Sequence, residues 1–135
     1  TNARGPLKIS EAFHTHVAAS EQKKLVLITS RGGLFSEMSG GSKGTYFYRA
    51  SKAAVNMLMV QIAGDVKRYG ITVVMLNPGL VDTQGQLEDM NDKMNLGLNI
   101  TPIEDSVAGM RQLIDAADMA VSGQIFNWDG EALGY

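Results

Sequence analysis

The sequence predicts an α/β domain in which a parallel sheet is covered by helices. Three observations lead there. Two short, unbroken apolar runs, Leu25-Val26-Leu27-Ile28-Thr29-Ser30 and Ile71 to Leu76, have the length and composition of strands buried on both faces. Stretches with apolar residues at i+3 and i+4 spacing stand on either side of these runs. The resulting order of helix, strand, helix, strand, helix, strand belongs to parallel strands joined by helical crossovers. At 135 residues, 44% hydrophobic and 19% charged, the chain suffices for one compact domain with one core.

Taken in order, Gly5-Pro6 opens a helical pattern carried by Leu7, Ile9, Ala12, Phe13, Val17 and Ala18, which the polar cluster Glu21 to Lys24 ends. The first strand follows. Residues 31–45 are rich in Gly and Ser, and a loop of that length in a compact domain points to function. A long helix is expected from about Thr45 to Tyr69. Ala50, Ala54, Met57, Leu58, Gln61, Ile62 and Val66 share one face, and Ala53, Val55, Met59, Val60 and Ala63 are apolar elsewhere around it. Such a helix should meet the sheet on one side and another subunit on the other. Gly70 stands at the position that ends it. After the second strand and Asn77-Pro78-Gly79, residues 80–100 read as a polar loop with short helical pieces, with Leu87, Met90 and Met94 as its apolar points. Thr101-Pro102-Ile103-Glu104 has the form of a capping box with proline at the first helical position. Val107, Met110, Leu113, Ile114 and Ala117 would form the buried stripe of that helix. Gln124-Ile125-Phe126-Asn127 is the third strand, closed by an Asp129-Gly130 turn.

Composition excludes several classes of function. The net charge is -2, and the basic residues, Lys43 among them, are scattered without forming a stripe, so no nucleic-acid partner is expected. No apolar run approaches the ~20 residues of a membrane span. With no signal peptide ahead of the first element, a cytoplasmic protein is expected. There is no cysteine, and the two histidines, His14 and His16, are two apart on a helix and face different ways. No metal site is expected. Gly40-Gly41-Ser42-Lys43-Gly44 lacks the spacing of a phosphate-binding loop.

Ligands of open α/β sheets bind beyond the carboxyl ends of the strands. Ser30 and Asn77-Pro78-Gly79 lie at such ends, and Tyr46, Tyr48 and Lys52 lie at the start of the helix after Ser30. Four helical residues turn by about 400°, leaving Tyr48 and Lys52 about 40° apart, whereas Tyr46 is about 120° away. Only Tyr48 can share a face with the lysine. A free tyrosine ionises near pH 10, and a neighbouring ammonium favours the phenolate. The positive helix end acts in the same sense. A tyrosine so placed can exchange a proton with an alcohol or carbonyl oxygen, which Ser30 could hold by a hydrogen bond.

Ile28-Thr29-Ser30, Tyr48-Arg49-Ala50-Ser51-Lys52-Ala53-Ala54-Val55-Asn56, and Asn77-Pro78-Gly79-Leu80-Val81-Asp82-Thr83 together resemble the second half of a short-chain dehydrogenase/reductase. Asn2 to Leu7 is similar to the segment bearing that family's catalytic asparagine, and Ser122 to Gly130 to its last strand. The wording around Tyr48 is most similar to the carbonyl-reductase and C-signal-like branch. The resemblance implies part of a Rossmann-like doubly wound parallel sheet, with about three strands and flanking helices. It implies Tyr48 as acid/base, Lys52 as its electrostatic partner and ligand of the nicotinamide ribose, Ser30 as the group polarising the substrate oxygen, and Asn2 as holder of a water in the proton relay. Pro78, Gly79, Val81 and Thr83 would line the nicotinamide side of NAD or NADP, with NADP slightly favoured. Residues 84–99 would cover a small carbonyl or alcohol substrate, and a homodimer or homotetramer is expected.

The family's glycine-rich nucleotide fingerprint does not occur in the sequence. Residues 1–135 are therefore expected to be a single partial domain, beginning with Thr1 and lacking the nucleotide-binding half. The first strand would then expose an apolar edge. Two functions follow: the catalytic half of an NAD(P)-dependent oxidoreductase whose activity needs the absent half, so that residues 1–135 alone should bind NADH or NADPH weakly or undetectably, or a non-catalytic remnant that self-associates or binds a partner through its apolar helices.

Overall fold

The structure, a computed structural model, describes residues 1–38, 45–95 and 97–135. The glycine-rich segment around Lys43 lies outside the described residues. Four helices, α1 (Arg4–Ala19), α2 (Tyr46–Val66), α3 (Gln86–Met94) and α4 (Ile103–Ala116), accompany a sheet of β1 (Lys24–Ile28), β2 (Thr72–Asn77), β3 (Ile125–Asn127) and β4 (Ala132–Leu133). The strand order is β1-β2-β3-β4. β1 and β3 both run parallel to β2, with Leu25 opposite Val73 and Met75 opposite Ile125. β4 is antiparallel to β3 and makes the sheet mixed. Its two residues carry too little pattern to be read from the sequence.

Alternation along β2 divides the interior into two layers. Val73 and Met75 face α1 and α2, where Val55, Met59, Ile62, Ala63 and Val66 pack with Leu25, Leu27 and Ile125. Val74 and Leu76 face the other way, toward Ala117, Met110, Leu113, Ile114 and Phe126. All six residues of β2 are buried, as expected for a strand enclosed on both faces. Helices thus lie on both sides of the sheet, and the doubly wound arrangement holds.

Four local expectations need correction. β1 ends at Ile28 and is covered on one face only: Val26 is 38% and Ile28 48% exposed, because the cluster around α4 closes over β2 and β3 without including them. The side of α2 that enters the core carries Val55, Met59, Ile62, Ala63 and Val66, whereas Ala50, Ala54, Met57 and Gln61 are exposed. Val107 in α4 is exposed as well, and the buried stripe starts at Met110. Finally, Thr101 caps no helix. Its N–H donates to the Leu80 carbonyl at 2.8 Å, and Pro102 is extended (ψ 138°) and accepts from Ser106 N–H at 3.0 Å. The pin to Leu80 holds the chain outside the helix for one residue more than the sequence pattern suggests.

Candidate active site

The carboxyl ends of β1, β2 and β3 open into a cleft of about 560 Å³, with Ser30, Arg31, Asn77, Gly79, Thr101 and Trp128 in its lining. Ser30 follows β1 and caps a short 3-10 turn, Arg31–Gly33; its Oγ accepts from Gly32 N–H at 3.1 Å. With the oxygen so used, the hydroxyl proton is left to donate elsewhere.

The turn sits directly on α2. A side-chain carbon built at Gly33 would come within 2.7 Å of the Lys52 backbone and 2.8 Å of Ala53 N, so only glycine permits this approach. Asn56 reinforces the seam: its buried carboxamide takes the Thr29 hydroxyl and reaches the Gly33 carbonyl at 3.5 Å. Neither Thr29 nor Asn56 stands out in the sequence as a site residue, because their pairing depends on how close α2 comes to β1.

Tyr48 and Lys52 lie one turn apart in α2, with Lys52 Nζ 5.9 Å from the Tyr48 ring centroid. Tyr46 is 77% exposed and Tyr48 49%. A carbon built on Gly32 would touch Ser30 Oγ and Tyr48 Cε1, each at 3.4 Å, so serine hydroxyl and tyrosine ring border the same small space. Lys52 Nζ also donates to the Ile28 carbonyl at 3.3 Å. Asn2, in the turn before α1, donates to Ser51 Oγ at 3.3 Å, and Ser51 donates to the Tyr48 carbonyl at 2.8 Å. Asn2 therefore reaches the tyrosine's backbone through Ser51.

Gly79 has φ +82°, and a side chain there would collide with Thr101 and the Trp128 ring. Pro78 is tied to α4 by Ser106, whose hydroxyl donates to the Pro78 carbonyl at 2.7 Å. Val81 is half-buried and Thr83 exposed further along the same segment. The cleft lining includes Ser30 and Gly79 but none of Tyr48, Lys52, Pro78, Val81 or Thr83. Just before Thr83, Asp82 accepts from the backbone N–H groups of Gln84, Leu87 and Glu88 and anchors the start of α3. These donors, Glu88 foremost, hold its carboxyl below the ordinary carboxylate range. Among the described residues, no group of three or more His, Asp or Glu could hold a metal ion.

Arg31, Asn127, Asp129 and Glu131 complete the rim and were not foreseen. Arg31 pairs with Glu37 at 3.0 Å and with Glu131. The Glu131 N–H first, and the Asn127 amide after it, hold the Asp129 carboxyl below its ordinary range.

Residues 1–94 match the family described as short chain dehydrogenase, and the chain belongs to that family. It is 35% identical over 130 residues to C-signal of Myxococcus xanthus, covering 96% of this chain and 71% of that one. It is 34% identical to 1-hydroxy-2-glutathionyl-2-methyl-3-butene dehydrogenase of Rhodococcus sp. (strain AD45), covering 98% of this chain and 54% of that protein. Among solved structures, NADPH-bound carbonyl reductase from chicken fatty liver superposes on the whole chain with a TM-score of 0.81 and 27% identity. The chain spans 54% of that reductase.

Proposed function

We propose that this chain carries the proton-transfer site of an NAD(P)-dependent oxidoreductase interconverting an alcohol and a carbonyl. One observation carries the reading: the Ser30 hydroxyl and the Tyr48 ring border one space at the carboxyl edge of the sheet, with the Lys52 ammonium beside the ring. In the reducing direction Ser30 donates a hydrogen bond to the substrate oxygen, and Tyr48 gives that oxygen its phenolic proton. Lys52 stabilises the negative charge left on the phenolate. Tyr48 is reprotonated from solvent through water held near Asn2. In the oxidising direction the same groups accept the proton instead.

The residues present fit the nicotinamide end of the cofactor, since the cleft at the strand ends is polar and roomy, and Gly79 lets Thr101 and Trp128 close against its backbone in the cleft wall. Pro78, Gly79, Val81, Thr83, Tyr48 and Lys52 would hold it, and when bound it supplies or accepts the hydride. NADPH is the preferred form in this reading, supported by its presence in the chicken reductase. The dehydrogenase of Rhodococcus supports the alcohol–carbonyl chemistry.

The test, made in a complete enzyme that joins these residues to a nucleotide-binding half, compares Tyr48→Phe with Tyr46→Phe in carbonyl reduction followed by nicotinamide absorbance. Tyr48→Phe should remove turnover while Tyr46→Phe keeps most of it; equal effects would refute the assignment. The exposed face of β1, with Val26 and Ile28, favours a second reading in which the chain acts by self-association without catalysis. Turnover by the complete wild-type enzyme that Tyr48→Phe abolishes decides for the first reading.

A further inference from the structure

A closed circuit of hydrogen bonds lies behind Ser30. The Arg31 N–H, adjacent to Ser30, donates to Asn77 Oδ1 at 3.3 Å. Asn77 Nδ2 donates to Asn127 Oδ1 at 2.8 Å, both residues being buried. Asn127 Nδ2 donates to Asp129 Oδ1 at 2.9 Å, and the same oxygen takes the Glu131 N–H at 3.1 Å. The Glu131 carboxylate pairs with the Arg31 guanidinium and closes the ring.

The circuit has a direction. An ionised carboxylate only accepts, so Asp129 obliges Asn127 to present its NH₂ there and its carbonyl to Asn77. Asn77 must in turn offer its carbonyl to the Arg31 N–H. Neither amide can turn over without facing two donors or two acceptors. Bonds chained in this way also reinforce one another. The ring thus acts on the Ser30–Gly33 turn through the Arg31 N–H and guanidinium.

We propose that Asn127 is a positioning residue for Ser30: through Asn77 and Arg31 it fixes the turn and so aims the Ser30 hydroxyl into the cleft. This rests on the reading of Ser30 as the group that holds the substrate oxygen. The charged groups facing Asp129 are Arg31 and Glu131, with Glu37 behind Arg31.

The test follows the Arg31 and Gly32 amide resonances of ¹⁵N-labelled chain between neutral and acid pH. In wild type both should move as Asp129 titrates. Asp129→Asn removes the titrating carboxylate, and that acid step should disappear from both resonances. Asn127→Ala should displace them at neutral pH and uncouple them from Asp129. Should Asn127→Ala fail to fold, Glu131→Ala opens the ring at its surface and should displace them in the same sense. In turnover, Asn127→Ala should lower kcat about tenfold with little change in KM. The proposal is overturned if either ring-opening variant folds and leaves both amides in place, or if Asn127→Ala leaves kcat unchanged. Turnover is read in a protein in which a nucleotide-binding half precedes these residues; its absence there counts against the oxidoreductase reading, and the amide shifts of the chain still decide the role of the ring.

Discussion

Replacing Gly33 by alanine tests the geometry on which the site depends. Gly33 is buried, and its open side faces the backbone of α2 at Lys52 and Ala53. A methyl carbon there would stand 2.7 Å from two Lys52 carbons. Carbon atoms rest at about 3.5–4.0 Å, so the Ser30 turn and α2 must part by about 1 Å. Backbone offers no rotamer by which to escape. Overpacking of this kind costs about 1–3 kcal/mol, which for a domain of this size corresponds to a drop in Tm on the order of 3–10 °C. The same displacement separates Ser30 from Tyr48, and a 1 Å misplacement can cost about 100-fold in rate. Thermal unfolding followed by circular dichroism reads the first effect and carbonyl reduction the second. A Gly33→Ala chain with wild-type Tm and turnover would show that the contact between turn and helix is not what aligns the site.

Three further outcomes are expected. Asp82→Ala should unravel α3, seen as lost helical ellipticity and faster amide exchange at Leu87 and Glu88, with the sheet amides unchanged. In wild type that anchoring carboxyl is held below its ordinary range, so its contribution is complete above the unfolded-state value and is lost as pH falls through the lower folded one; Asp82→Ala should not show this acid step at α3. Val26→Lys should place a charge on the uncovered face of β1 and reduce concentration-dependent association in sedimentation, with a wild-type circular dichroism spectrum; unchanged association would move the interface elsewhere.

The order of helices and strands was legible because Leu25-Val26-Leu27-Ile28 and the run to Leu76 are short apolar runs of strand length, although only the second is buried on both faces. Tyr48 and Lys52 were legible because helical spacing alone puts them on one face. The rest needed contacts between distant segments. Asn77 and Asn127 are 50 residues apart and meet only through the β2–β3 register. Thr101 had the right neighbours for a cap, but its hydrogen bond to Leu80 outweighed them. For α2, apolar residues nearly all round left the buried side undetermined until the packing against Val73 and Met75 selected Val55 and Met59.

The place of β2 at the centre also sets how this chain must fold. Both parallel ladders use this one strand, which α2 separates from β1 and which α3 and α4 separate from β3. Large loops have to close before either ladder returns any free energy, which makes such topologies slow to form. Until β2 is in place there is no parallel sheet, no two-layered core and no partner for the Asn127 side-chain oxygen. Assembly is therefore concentrated in a late step, and the uncovered flank of β1 is accessible to other chains for as long as that step takes.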